Sequence, residues 1–219
     1  MKVGFIGGTG PAGRALVVRL ASVGVEVVVG SRQRERAEDT VEELRREWPD
    51  HQLSLRGAEN EQAAEAELVV IATPWDSAPG MTATMAPLLT DKVVVSMANA
   101  LVKVGNELHP LVPARGSIAA EVQAAAPRAM VAAAFQHLPA RHLGDLERQI
   151  ESDVFVCSDH PQATKAVADL VSLIPGLRPI DAGTLAAAAP VEAFTAVLAS
   201  VNIRYRARSA VRLTGIDSS

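Results

Sequence analysis

The residues Gly7-Gly8-Thr9-Gly10-Pro11-Ala12-Gly13 follow directly on an apolar run, Val3-Gly4-Phe5-Ile6, and lead into a segment with apolar residues at Leu16, Val17, Leu20 and Ala21. Few folds accept a strand that empties through glycines straight into an amphipathic helix. Gly8, Gly10 and Gly13 fit the spacing G-x-G-x-x-G: the first permits a tight turn, the second lets the backbone approach a pyrophosphate, and the third packs helix against strand. The free N–H groups that open the helix would then face phosphate.

A second buried strand, predicted over 25–29, ends in Gly30-Ser31-Arg32. An NAD site usually places an Asp or Glu here to accept from the ribose 2′-OH. This chain offers a hydroxyl and a guanidinium, which suit a 2′-phosphate and therefore NADP. Read without a ligand, Ser31 to Arg36 is a helix start with a serine N-cap and a solvated charged face, and the two readings are compatible.

Strand and helix signals then alternate. Strands are predicted over 52–56, 67–72, 92–96 and 128–135, and helices over 34–48, 61–66, 77–89 and 118–126, with an irregular stretch before the last of these. This is the pattern of an α/β fold, a Rossmann doubly wound parallel sheet. Residues 1–136 are read as its dinucleotide-binding domain and 137–219 as a second, smaller mixed α/β domain, with strands over 154–158 and 177–181, a helix over 162–173 and a long helix reaching about 212. The end, Asp217-Ser218-Ser219, should be loose.

Composition narrows the function. With aromatics at 3%, Ala, Val and Leu must do most of the packing, and a net charge of -4 argues against nucleic acid as a partner. The lone Cys157 excludes an internal disulfide and a cysteine-built metal site. Histidines at 51, 109, 137, 142 and 160 lack zinc spacing, so no metal and no catalytic triad are expected. Met1-Lys2-Val3 already reads as strand, and no apolar stretch looks long and uniform enough to span a membrane, which makes the cytoplasm the default location.

The glycine turn, Gly30-Ser31-Arg32, Thr73-Pro74-Trp75, Leu138-Pro139-Ala140, Asp153-Val154-Phe155-Val156-Cys157, Gly176-Leu177-Arg178-Pro179-Ile180-Asp181-Ala182-Gly183 and Asn202-Ile203-Arg204-Tyr205 together resemble the NADPH-dependent reductases of coenzyme F420, the deazaflavin hydride carrier. The resemblance implies reversible hydride transfer between NADP(H) and coenzyme F420, with both rings stacked in a cleft that the C-terminal domain closes. It implies Thr9, Gly10, Pro11 and Ala12 at the pyrophosphate and Ser31, Arg32 and Arg36 at the 2′-phosphate. Thr73, Pro74 and Trp75 would border the cofactor where the fourth strand ends, although Trp75 also reads as a core aromatic anchoring the next helix. Ala140 would offer its backbone to the nicotinamide amide, with Leu138 and Pro139 walling the ring contact. Where relatives often carry a histidine, this chain has Gln136, whose amide can hydrogen-bond a carbonyl but carries no charge. His137 beside it is read as either a pocket residue or a structural histidine. Arg204, Arg206, Arg208 and Arg212 would reach the anionic tail of coenzyme F420, or line a helix and meet a second subunit of a homodimer. No catalytic acid or base is expected, because a hydride passing between two bound carriers needs position more than proton transfer.

Two other functions share this scaffold. An imine or carbonyl reductase would need a proton donor, for which His137, Asp181 and Tyr205 are available. A non-catalytic NADP-sensing module would turn its tail arginines toward a protein.

Overall fold

The computed structural model describes residues 1–105 and 107–216, so the expectation for residues 217–219 lies outside the described residues. The strands are β1 (Lys2–Ile6), β2 (Glu26–Ser31), β3 (Leu55–Glu59), β4 (Leu68–Ile71), β5 (Val93–Ser96), β6 (Leu101–Val104), β7 (Glu107–Pro110), β8 (Met130–Ala133), β9 (Ser152–Ser158) and β10 (Leu177–Asp181). The helices are α1 (Pro11–Ser22), α2 (Arg34–Glu47), α3 (Asn60–Ala63), α4 (Ala78–Met85), α5 (Ile118–Ala125), α6 (Ala140–Leu143), α7 (Pro161–Ser172) and α8 (Ala188–Tyr205).

Eight strands make one sheet in the order β10-β9-β8-β5-β4-β1-β2-β3. Side chains alternate between its faces, and both faces are covered. Val3, Phe5, Val27 and Val29 pack with Leu16 and Leu20 of α1 and Val41 and Leu44 of α2, while Ile6, Val69, Ile71 and Val94 pack with α4, α5 and the start of α8. This is the doubly wound arrangement expected. The order reverses between β4-β1 and β1-β2, the switch point where such sheets bind ligands at the carboxyl ends of their strands.

Six strands, β1 to β5 and β8, run parallel. β9 then pairs antiparallel with β8 through Ala132↔Ser158 and Ala133↔Cys157, and β10 runs parallel to β9. Residues beyond 136 thus extend the same sheet, with their strands reversed, so β9 and β10 begin at the rim where the parallel strands end.

Four elements depart from the sequence reading. β3 begins three residues later than the strand read over 52–56, and α2 crosses it at Gly57, where a Cβ would stand 2.5 Å from the amide nitrogen of Glu38. The stretch read as irregular contains the hairpin β6–β7, an antiparallel pair outside the main sheet, and its signal was Gly105 at φ 59. α6 is a single turn that no periodicity marks. α8 stops at Tyr205 and not near 212, since Arg206 adopts the left-handed conformation at φ 50 and the chain turns back. Asn202 Oδ1 then accepts from the Ser209 amide at 2.6 Å and the Val211 carbonyl accepts from the Asp153 amide at 2.7 Å.

The expectation that no apolar stretch is long enough to span a membrane is corrected: Leu185–Tyr205 is long and apolar enough by length and composition. Its inner face is bound to the core through Ala188, Glu192 and Ala196.

Candidate functional site

The glycine turn divides its labour differently from the spacing rule. Gly7, at φ 74, takes the left-handed step, and its amide donates to Asn60 Oδ1 at 3.2 Å. Gly8 instead donates to the Gly30 carbonyl at 3.1 Å, tying β1 to β2. Gly13 packs helix on strand as expected, since a Cβ there would stand 3.1 Å from the Ala72 Cβ and the backbone of Gly8. At Gly10 a Cβ would meet nothing within 4 Å. Gly10 is also the N-cap of α1 and lacks a side-chain acceptor, while Pro11 fills the first helical position, so the opening amides of α1 are left for a ligand. Thr9 is half-buried in the turn, and Pro11 and Ala12 are exposed at its tip.

Ser31 ends β2, buried, with its Oγ accepting from the Gln33 amide at 3.3 Å. Gln33 and not Ser31 is the N-cap of α2, so the serine-cap reading is corrected: the helix begins two residues later, after an extended Gln33. Arg32 and Arg36 are exposed and make no ion pair among the described residues, whereas Arg34 is taken by Glu38 at 2.7 Å. Glu59 lies in register with Ser31 on β3, yet its side chain caps α3. Among the described residues, no free carboxylate therefore stands in for the ribose partner of an NAD site at the end of β2.

At the ends of β4, β5 and β8 the structure leaves polar atoms buried without partners. They are Thr73 Oγ1, Ser96 Oγ and both side-chain amide atoms of Gln136, which is only 5% exposed. An unsatisfied buried polar group costs about 1–3 kcal/mol, so three together at a ligand edge call for a bound partner. Phe135, just before Gln136, is held at φ 66, a strained conformation for a bulky residue and one that clusters at functional sites. The Gln136 carbonyl accepts from Asn99 Nδ2 at 2.8 Å, and Thr195 Oγ1 of α8 donates to Asn99 Oδ1 at 3.2 Å. Ser96, Asn99 and Thr195 escaped the sequence reading, because residues this far apart share no spacing signal. Pro74 is exposed, and Trp75 packs against the core cluster containing Ile6 and Ala78, which favours its anchoring role.

His137 is 3% exposed, and its Nε2 pairs with the Asp153 carbonyl at 2.8 Å while its ring lies 5.0 Å from that of Phe155. Burial pushes its pKa down, against the pull of Asp153. Through Nε2 this histidine fastens the end of β8 to β9, while its Nδ1 is buried without a partner, as the Gln136 amide is. Asp153 is fully buried. Burial alone would push its carboxyl up, but the bidentate fork of Arg178 at 2.8 Å, the Leu213 amide and Arg212 hold it below the ordinary range. The tail arginines do not converge: Arg204 pairs with Glu107, Arg208 with Asp145 and Arg212 with Asp153. Nor are the donors of a carbonyl reductase assembled. His137 and Asp181 lie at opposite ends of the β9–β10 pair, Asp181 capping the Gly183 amide at 2.8 Å, and Tyr205 is 78% exposed.

Leu138 is buried, Pro139 caps α6, and Ala140 begins it. Pro11 and Ala140 line a groove of about 470 Å³ with Ala15, Val18, Leu44 and Trp48, which runs along α1 toward the end of α2 and takes in none of Ser31, Arg32, Thr73, Ser96 or Gln136 at the rim where the parallel strands end. An open glycine, uncapped helix amides, two unpaired arginines beside Ser31 and orphaned polar atoms on three strand ends fit a phosphorylated dinucleotide along this rim. Among the described residues no group of His, Cys, Asp and Glu could hold a metal ion.

Comparison with known proteins agrees. Residues 2–100 match the family model described as NADP oxidoreductase coenzyme F420-dependent. The chain is 31% identical over 223 residues to the F420-dependent NADP reductase of Methanocaldococcus jannaschii, covering 99% of this chain and 100% of that one. It is 32% identical to the enzyme of the same description from Methanothermobacter thermautotrophicus, over 99% and 96% of the two chains. A crystal structure from Arthrobacter sp. FB24, provisionally assigned as an F420-dependent NADP reductase, superposes with a TM-score of 0.80 at 27% identity over 95% of this chain and 96% of that one.

Proposed function

The chain belongs to the F420-dependent NADP reductase family, and from that premise we propose how its residues divide the work of hydride transfer between NADP(H) and coenzyme F420. The enzyme is an oxidoreductase, and the two carriers supply the chemistry: the reduced nicotinamide gives a hydride that the oxidised deazaflavin accepts, or the reverse. The protein's task is position and the exclusion of water.

Thr9, Gly10, Pro11 and Ala12 hold the pyrophosphate on the opening amides of α1. Ser31, Arg32 and Arg36 hold the 2′-phosphate, which selects NADP over NAD. Thr73 and Pro74 border the cofactor beyond β4, Ala140 presents its backbone to the nicotinamide amide, and Leu138 and Pro139 wall the ring contact. The Gln136 amide hydrogen-bonds a ring carbonyl, and Asn99 and Thr195 hold its main chain in place. Residues 137–219 act as the smaller domain that closes the deazaflavin side. No acid or base takes part.

The single observation that supports this most is that Thr73 Oγ1, Ser96 Oγ and the Gln136 amide are buried without partners where adjacent strands of the parallel sheet end. An anaerobic assay with NADPH and oxidised coenzyme F420, following the deazaflavin absorbance, tests it. Bleaching with NADPH, and much less with NADH, is the expected result, and protein that binds NADPH without bleaching the deazaflavin would refute it.

We further propose a cytoplasmic homodimer. Phe194, Val197 and Ile203 on the outer face of α8 are exposed, and Val102 and Val104 of the hairpin are exposed too. A second copy would cover such an apolar surface. Light scattering that gives the mass of one chain would overturn this.

A further inference from the structure

We propose that Arg19 is a positioning residue for the hydride transfer: it sets the spacing between the helix that holds the pyrophosphate and the segment that walls the rings. This rests on the site reading above, but its physical basis does not.

Arg19 lies on α1, the helix whose first turn faces the phosphates, and it is 8% exposed. A buried guanidinium normally needs a carboxylate. Here it has carbonyls. Its Nε donates to the Leu143 carbonyl at 2.7 Å, and one terminal nitrogen donates to Asp145 at 2.6 Å, Arg148 at 3.2 Å and His142 at 3.3 Å. Burial pushes its pKa down, with Asp145 pulling it back up, and an arginine stays charged under such pressure. Every one of those carbonyls belongs to residues 142–148, and two of them close α6. A cation at a helix C-terminus is stabilising, and this one fixes a single turn with little hold of its own.

The other end of that turn is the ring wall. Pro139 caps α6 and Ala140 is its first residue, so a shift of α6 is a shift of the wall. α1 and α6 also approach closely at a second point: a Cβ on Gly144 would stand 3.3 Å from the Cα and Cβ of Ala15. The two contacts form a seam of fixed width, with Arg19 pulling α6 in and Ala15 stopping it. Since a displacement of about 1 Å between hydride donor and acceptor can cost on the order of a hundredfold in rate, a seam loosened by a fraction of that should be visible in turnover.

Two variants perturb the seam in different ways. Arg19→Lys keeps the charge and loses the planar fork that reaches several carbonyls at once. Gly144→Ala leaves Arg19 intact and wedges the helices apart, at a backbone conformation, φ -83, that alanine accepts. Each is measured for amide hydrogen exchange across residues 138–148, for NADPH affinity, for turnover with coenzyme F420, and for the primary isotope effect with NADPH deuterated at the transferred position. Expected are at least tenfold faster exchange across 138–148 in Arg19→Lys, NADPH affinity within about threefold of the parent, and turnover reduced about ten- to a hundredfold with a larger isotope effect in both variants. A residue that only stabilises the fold would lower the melting temperature and leave the isotope effect unchanged, and that result overturns the proposal. So does unchanged exchange in the lysine variant. If the parent protein itself fails to reduce coenzyme F420, the site reading falls, and the exchange arm still decides whether Arg19 holds α6.

Discussion

Glu192 of α8 caps the first turn of α5 with both carboxylate oxygens, accepting from the Ile118 amide at 2.8 Å and from the Ala119 amide at 3.1 Å, although it is 5% exposed and has no cationic partner among the described residues. Burial pushes this carboxyl up to about 7, against the pull of the two amides. The folded protein therefore keeps a proton that the unfolded chain gives up at the ordinary carboxylate pKa. Wherever the folded state binds more protons, stability falls as pH rises. We expect the stability against urea to drop between about pH 5 and 7, by up to about 3 kcal/mol from this group, and Glu192→Gln to flatten the slope. Asp153 works in the opposite sense lower down: its depressed pKa gives stability that is lost as pH falls below the ordinary carboxylate range. An identical urea midpoint slope in the parent and the Glu192→Gln variant would show that Glu192 titrates as a solvated acid.

Arg32→Ala should weaken NADPH binding roughly ten- to a hundredfold, the range for losing a charge-assisted hydrogen bond, with NADH nearly untouched. The structure sharpens this expectation, because Glu59, a carboxylate in register with Ser31, is engaged with α3. Titration of both cofactors against the same preparation is the check, and equal losses would remove the 2′-phosphate from this corner.

Gly10→Val should fold and fail to bind. A Cβ at this position meets nothing within 4 Å, so the substitution does not crowd the protein itself, and the backbone is extended at φ -78. The branched side chain would occupy the space a pyrophosphate needs. A melting temperature close to the parent's, together with lost NADPH affinity, is expected. Normal affinity would reduce the glycine turn to a purely structural device.

Ala140→Leu should separate the rings without emptying the phosphate sites. Turnover should fall on the order of a hundredfold, while NADPH affinity falls less. Parent-like turnover would place the ring contact elsewhere on the rim.

The glycine turn and the parallel sheet were legible because each rests on a local pattern: residue types at short, fixed spacing or alternation along one strand. His137 was legible only as two alternatives, and the structure shows one ring nitrogen held by Asp153 and the other buried without a partner. What stayed hidden was tertiary. Gly57 sets the start of β3 through contact with α2, and the left-handed Arg206 ends α8 without a glycine to announce it. The network of Asn99, Gln136 and Thr195 joins three elements across long stretches of chain, and Arg19 reads in sequence as one more basic residue on an amphipathic helix. Polar atoms left unpaired at Thr73, Ser96 and Gln136 are invisible until the fold buries them.

The reversal of β9 against β8 has a practical outcome for anyone attaching this enzyme to a surface. The parallel strands start at one rim, so Met1 and Lys2 sit on the side of the sheet opposite the rim where those strands end. β10 starts at the other rim, and there Arg178 holds the carbonyls of Leu213 at 2.8 Å and Ile216 at 2.7 Å. An immobilisation tether at the N-terminus would leave the rim of the proposed site facing the solution, whereas one attached beyond Ile216 would pull on the Arg178 contacts that secure β9. On an electrode or a bead, orientation would decide how much activity survives.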